Sequence, residues 1–274
     1  MTTFFRNIRQ KLAAQNKVAA YLRYAIGEIL LVVIGILIAL QVNNWNSIRI
    51  EKNKESVYLK NIERDLIEQR KSIDDQLKTE LVFSQMAKSI LTYYKEYHKF
   101  NVDSSFTSAI GGLCDRRTFV KINPTYTELL SSGNVDIISD NKFKGELINY
   151  YQELERLELI INKNNNLFTD AVFVPGMMRL SELQTSSVYD DILTSNLLSQ
   201  HVKDSLENYI RLNEKNLKAI TASQLEDPAN QLIMINLINY RYITANIHYA
   251  FLLNQKEKTQ NLIDELKLIL RIFK

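Results

Sequence analysis

From Ala25 to Val42 the chain reads AIGEILLVVIGILIALQV, apolar apart from Glu28 near its start and Gln41 at its end. At 1.5 Å per residue such a run is roughly 27 Å long, close to the ~30 Å hydrocarbon core of a bilayer. Tyr21 and Tyr24 flank one end and Trp45 the other, where amphipathic rings favour the two interfaces. A helix satisfies its own backbone in lipid, so the pattern predicts a transmembrane helix over 25–45. A cleaved signal peptide is the rival, but it needs a shorter apolar core and a small-residue cleavage site. This run ends in Gln41-Val42-Asn43-Asn44-Trp45 without one, so a retained anchor is expected.

Beyond Trp45 no Pro or Gly occurs until Gly111. Val57 or Leu59, Ile62, Leu66, Ile73, Leu77, Leu81 and Ser84 fall near a three-four spacing, which predicts a long amphipathic helix closed by Tyr93, Tyr94 and Tyr97. Gln69 or Arg70 interrupts that seam, and the repeat is too short for a coiled coil. Residues 98–123 are the least regular, with a turn signal at Gly111-Gly112 and a short extended segment at Thr118–Ile122. Asn123-Pro124 then reads as N-cap plus first-turn Pro, with a stop at Ser131-Ser132-Gly133. Asp140 is placed to cap a helix through Phe143, Leu147, Tyr150, Leu154, Leu157 and Ile161, ending in the Asn164-Asn165-Asn166 run. Further helices are expected near 166–174, 189–198, 200–222 and 227–272, the last opened by Asp227-Pro228 and either continuous or broken near Asn254. The predicted fold class is all-α: one N-terminal transmembrane helix followed by a mainly helical, bundle-like domain over 46–274.

Composition agrees. With 7 Gly and 3 Pro in 274 residues the chain has few turns, well below average usage. Hydrophobic residues at 46% and charged residues at 24% fit a folded chain rather than a disordered one. The net charge of +3 is too small to point to nucleic acid. Its distribution matters more. Residues 1–24 carry Arg6, Arg9, Lys11, Lys17 and Arg23 and no acid, whereas the other flank mixes Arg49, Lys52 and Lys54 with Glu51 and Glu55. The positive-inside rule then keeps residues 1–24 in the cytoplasm and sends the C-terminal domain across the membrane. Phe4, Phe5, Ile8 and Leu12 share one helical face, so the basic tail reads either as an interfacial helix on anionic lipid or as a disordered tail.

Two features of the span are candidate sites. Gly27, Leu31, Gly35, Ala39 and Asn43 recur at every fourth residue, giving a mostly small stripe that lets a second helix approach. Glu28 is an intramembrane acid, which by default is a functional candidate, but it lies about a turn from the basic flank and within reach of Arg23. A polar interfacial or inter-helix contact is the reading preferred over an ion path.

No catalytic or metal-binding pattern occurs. His98, His201 and His248 are far apart, and HExxH, CxxC, GxxxxGK and GxSxG are all absent. Cys114 is the single cysteine and has no disulfide partner in the chain. Asp115 opposes a thiolate there, and Arg116 and Arg117 favour one. Arg116-Arg117 offers an anion contact or an ordinary exposed pair. Glu153, Glu155 and Glu158 read as the solvated face of a helix. Tyr93-Tyr94 and Tyr150-Tyr151 suit an interface or simple packing. No enzyme activity, cofactor or metal is therefore expected.

The run Tyr24 to Asn46, YAIGEILLVVIGILIALQVNNWN, together with the basic, Phe-containing start, resembles a family of uncharacterised single-span envelope proteins of Bacteroidota-type bacteria. The stretch Tyr126 to Asp140 is similar to a second recurring motif of that family. The resemblance implies a cell-envelope setting, with the inner membrane as anchor and the periplasm as outer compartment, and brings no activity with it. The expected partners are membrane lipids and either further copies of the chain or another envelope protein, with no nucleic acid. Function is expected to be structural or interactive. The alternative is a periplasmic ligand sensor signalling through a partner, because 24 cytoplasmic residues hold no output module.

Overall fold

The computed structural model describes residues 18–183, 199–202 and 215–273, and no strand occurs among them. The residues expected to form an interfacial helix, Phe4 to Leu12, and the helix expected at 189–198 lie outside the described residues. The chain divides into two compact units, Met1–Tyr58 and Leu59–Lys274. Helix α1, Val18–Tyr97, contributes to both, since nothing in its sequence after Gly35 breaks it.

Within the first unit α1 turns its apolar residues to the surroundings. Every residue from Ile29 to Ile50 is exposed, and the stretch apolar enough to cross a membrane has none of its length buried. One helix near the N-terminus is thus long and apolar enough to span a bilayer.

The second unit is a helical bundle. In it α1 buries Leu59, Ile62, Leu66, Gln69, Ile73, Gln76, Glu80, Phe83, Ala87 and Ile90, an unbroken three-four seam. Gln69 therefore belongs to the seam rather than interrupting it, and Leu81, expected inside, is exposed. His98, at φ 52°, closes the helix in the left-handed region, with its N–H donating to Tyr94 O. Helix α2, Ser104–Leu113, is capped by Asp103, whose carboxylate accepts Phe106 N and so satisfies one of the helix's orphan donors. Gly111 and Gly112, expected at a turn, are buried in the last turn of this helix.

Helix α3, Pro124–Ser131, begins at the expected proline, but Asn123 makes no side-chain cap. The Thr125 N–H is taken instead by Asp65 of α1. Gly133 at φ 67° ends the turn after α3, as the left-handed glycine stop at Ser131-Ser132-Gly133 predicts. A single 3₁₀ turn, Val135–Ile137, leads to α4, Asn141–Asn164, where Asp140 accepts from Lys142 N and Phe143 N. The Asn164-Asn165-Asn166 run does not stop the helix. It opens a nine-residue π-helix, Asn165–Phe173, that continues into α5, Val174–Leu180. Across this change the buried positions pass from a mixed four-three spacing (Phe143, Leu147, Tyr150, Leu154, Leu157, Ile161) to uniform steps of four (Asn165, Thr169, Phe173), as a wider turn requires.

After α6, Lys215–Gln224, helix α7 runs unbroken from Pro228 to Ile272, with no break at Asn254. Its inner seam is Met234, Ile238, Arg241, Ala245, His248, Leu252, Gln255, Thr259, Leu262 and Leu266. It packs antiparallel to α1, through Tyr94–Gln231, Ser84–Asn246, Asp74–Lys256 and Arg70–Gln260. It is also antiparallel to α4, through Asn164–His248, Tyr150–Thr259 and Lys142–Glu265. One apolar core joins Phe83 and Ile90 of α1, Phe106 and Ile110 of α2, Phe173 and Met177, and Met234 and Ile238 of α7.

Candidate functional site

In the first unit Gly27, Gly35, Ala39 and Asn43 lie along one exposed stripe of α1, and a Cβ built on Gly27 or Gly35 would meet nothing. The stripe is open to a neighbouring helix. Glu28 is half-buried and already engaged with neighbouring groups. Arg49 lies over the exposed Trp45 ring at 5.5 Å, a cation–π contact just past the apolar run.

In the second unit the polar chemistry is gathered around residues 114–123, an irregular stretch that crosses the bundle without a strand partner. An extended backbone in a packed interior must find its hydrogen bonds somewhere, and here helix side chains supply them. Arg241 of α7 donates from Nε to Leu113 O (3.3 Å) and from Nη2 to Asp115 O (3.0 Å). Arg117 O accepts from Gln76 Nε2 (3.4 Å) and Asn165 Nδ2 (3.1 Å). Asn162 makes a two-way exchange with Phe119, accepting its N–H at 3.2 Å and donating to its carbonyl at 3.0 Å, as a neighbouring strand would. Lys121 N donates to Glu158 (3.0 Å), Ile122 N to Gln69 (2.5 Å) and Thr125 N to Asp65 (3.0 Å). Asp65, Gln69 and Gln76 share one face of α1, and Glu158, Asn162 and Asn165 one face of α4, because their spacings are four and seven or four and three. The two faces and Arg241 together hold the segment as a strap.

Glu80 sits behind the strap, 2% exposed, and accepts from Gln76 Nε2 at 3.0 Å and faces His248 Nδ1 at 3.2 Å. The Asn164 amide Nδ2 lies 2.9 Å from His248 Nε2, so the buried imidazole bridges Asn164 of α4 to Glu80 of α1. Arg241 lies in the same buried cluster, 1% exposed and 4.2 Å from the Phe83 ring centre, close enough for a cation–π contact. Burial works to lower the Arg241 pKa, and Glu80, Cys114 and Asp115 work against it.

The surroundings of Cys114 disfavour its thiolate. Burial first and then Asp115 push its thiol up to about 12, against a smaller opposing pull from Arg241, and it is the thiolate that reacts. Arg116 and Arg117 are committed to Asp170 (2.6 Å) and Asp75 (3.7 Å) rather than open to an anion. Glu153 and Glu155 pair with Lys258 and Lys121 on the surface, as a solvated face would, while Glu158 reaches inward to the strap. Tyr150 and Tyr151 are packing residues, Tyr151 stacked on Tyr126 at 4.3 Å. A shallow cleft of about 180 Å³ is lined by Ser89, Ile90, Tyr93, Phe100, Asp103 and Phe106. It is smaller than drug-sized ligand sites, and its carboxylate is already engaged in capping α2. Among the described residues no group of three or more His, Cys, Asp or Glu is placed to hold a metal ion.

Sequence reasoning missed the buried trio of Glu80, Arg241 and His248. One signal was present. Between Asp227 and Lys256 the only basic side chains are Arg241 and His248, seven apart and so on one helical face. Compared with known proteins, residues 28–171 match the model of a family described as of unknown function (DUF6090). The match begins within the apolar run and ends in the π-helix, so it takes in the α1 and α4 faces that hold the strap but not α7. No curated protein and no solved structure matches the chain.

Proposed function

The chain belongs to the family of unknown function DUF6090, which brings no activity with it, and we propose that it is a membrane-anchored envelope module that works by assembling with further copies of itself or with another envelope protein. The observation that carries this reading is a division of labour along the chain. The first unit exposes an uninterrupted apolar helix, while the second turns its buried polar groups to its own backbone. The five uncompensated basic residues before Tyr24 support an N-terminus in the cytoplasm and a domain beyond the inner membrane, in the periplasm. Small side chains at Gly27, Gly35 and Ala39, open to the surroundings, support helix association within the bilayer, with Asn43 at the interfacial end of the stripe. Lipids and envelope proteins are then the partners, and nucleic acid is not.

Gentle detergent extraction of the full chain from its native membrane, followed by mass and composition of the complex, tests the proposal. A homo-oligomer or a second protein at fixed stoichiometry is expected. A bare monomer, or release of the protein by alkaline carbonate without detergent, overturns it.

A second reading is a ligand sensor, favoured by the aromatic-lined cleft beside Tyr93 and Phe106. Its test is a thermal-shift screen of small organic cations against the full chain. A genuine ligand stabilises the wild type and not Tyr93→Ala, and a screen without such a compound removes the reading.

A further inference from the structure

Helix α7 carries two seams. The inner one is filled by α1 and α4; the outer one has the same seven-residue repeat and, among the described residues, stays exposed apart from the contact of Tyr240 with Phe168. Ile233, Tyr240 and Ile247 occupy one line of it, Asn236, Ile243 and Ala250 the other, and Phe251 borders both. Ile233, Tyr240, Ile243, Ile247 and Phe251 are 44–52% exposed. Together they present apolar surface on the order of 500 Å², at the upper end of what a monomer leaves to water. We propose that a second copy of this chain docks on this outer seam of α7. The inference rests on the self-association reading above and deepens it by naming a surface.

Charge selects the occupant. From Pro228 to Gln255 the only ionisable residues besides tyrosines are Arg241 and His248, and both are turned inward and buried. The outer face is therefore without formal charge for about 40 Å of helix. Across a two-fold axis each residue near the axis meets its own copy, so a charged face repels itself and an uncharged one does not. An acidic or basic partner finds no complement here. A bilayer surface is also disfavoured, because helices that lie on anionic lipid place Lys and Arg beside the apolar face. Asn236 and Asn254, both exposed, provide neutral donors and acceptors in places where an anionic surface would call for lysines. Two such faces bury roughly 1,000 Å², the lower limit of a specific interface. Anchoring both chains in one membrane raises their effective concentration, so an interface of that size suffices. Tyr240 is held in place by the Phe168 ring at 4.2 Å, so part of the surface is set before docking.

The test uses full-length protein in mild detergent. Mass is determined by light scattering for the wild type, Ile243→Asp/Ile247→Asp and Gly35→Leu, with circular dichroism and melting as a check on folding. The expected result is a dimer for the wild type and half that mass for the double variant, with an unchanged circular-dichroism spectrum and a cooperative melt lowered only by loss of the partner. In addition, Ile243→Cys should form a disulfide between copies under mild oxidation. If the double variant stays dimeric while Gly35→Leu is monomeric, assembly through the membrane stripe stands and the α7 seam falls. If the wild type is monomeric, both fall. If the thiol introduced by Ile243→Cys is shielded from labelling only when anionic vesicles are added, the seam belongs to lipid and the inference is overturned.

Discussion

Arg241 shows how far a single residue can decide this bundle. Its guanidinium fixes the carbonyls of Leu113 and Asp115 and stacks on Phe83 from a position closed to water. Removing it leaves the inward-facing carbonyls of Leu113 and Asp115 without this donor, at about 1–3 kcal/mol each. Arg241→Met should therefore lower stability by about 3 kcal/mol, read as a fall in the urea midpoint. Cys114 and Tyr150 make a second statement. Their pKa values rise from 9.0 and 10.0 to about 12, chiefly through burial, and Tyr151 moves the same way. The folded state keeps protons that the unfolded chain releases, so the unfolded state binds fewer of them as pH climbs. Stability from these groups is whole below about pH 9 and declines from there towards about pH 12. Urea midpoints at pH 8, 9, 10 and 11 should fall steadily, and the tyrosinate absorbance of Tyr150 and Tyr151 should appear with unfolding rather than before it. Little of this is legible residue by residue: a lone histidine and a lone arginine look like surface groups until their seven-residue separation is set against Glu80 of another helix.

Elements were more legible than residues. Signals at Asp140, Asp227-Pro228, Pro124 and Gly133 mark real boundaries, because most of the chemistry that satisfies a helix end is local, with Asn123 the exception, its expected cap supplied by Asp65 of α1. The failures share one cause, since each was decided by tertiary contacts. Gly111-Gly112 stays helical because α2 packs into the core, and the asparagine run widens the helix because Asn165 reaches Arg117 and Asn164 reaches His248. The extended strap was foreseen as a segment at Thr118–Ile122, but its partners were not, as glutamines and asparagines on α1 and α4 read as polar interruptions. Asn162 is the test at this scale. Asn162→Leu loses both bonds to Phe119 and leaves a buried N–H and C=O unpaired, at about 1–3 kcal/mol. The released strap should then be cut by trypsin after Arg116 and Arg117 under conditions in which the wild type survives, as seen by mass spectrometry of the fragments.

At the scale of the whole molecule, the apolar pattern of residues 25–42 was sufficient to single out the helix that fits a bilayer, and α1 leaves that stretch uncovered. The proposed topology rests on charge and has a direct test. Protease added to spheroplasts should remove an epitope at the C-terminus and spare one at the N-terminus, and the opposite pattern would reverse the assignment. The bundle itself closes late. Its outer partners α1 and α7 meet through pairs such as Ser84–Asn246 and Arg70–Gln260, 162 and 190 positions apart. Contacts of that separation slow folding because a large loop must be ordered before they form. A chain made from its N-terminus therefore carries Arg70, Glu80 and Ser84 without their α7 partners until α7 has emerged. During synthesis the half-made protein holds its own sticky, polar-studded groove open, and α1 waits for α7 before it is sheltered from chaperone and protease.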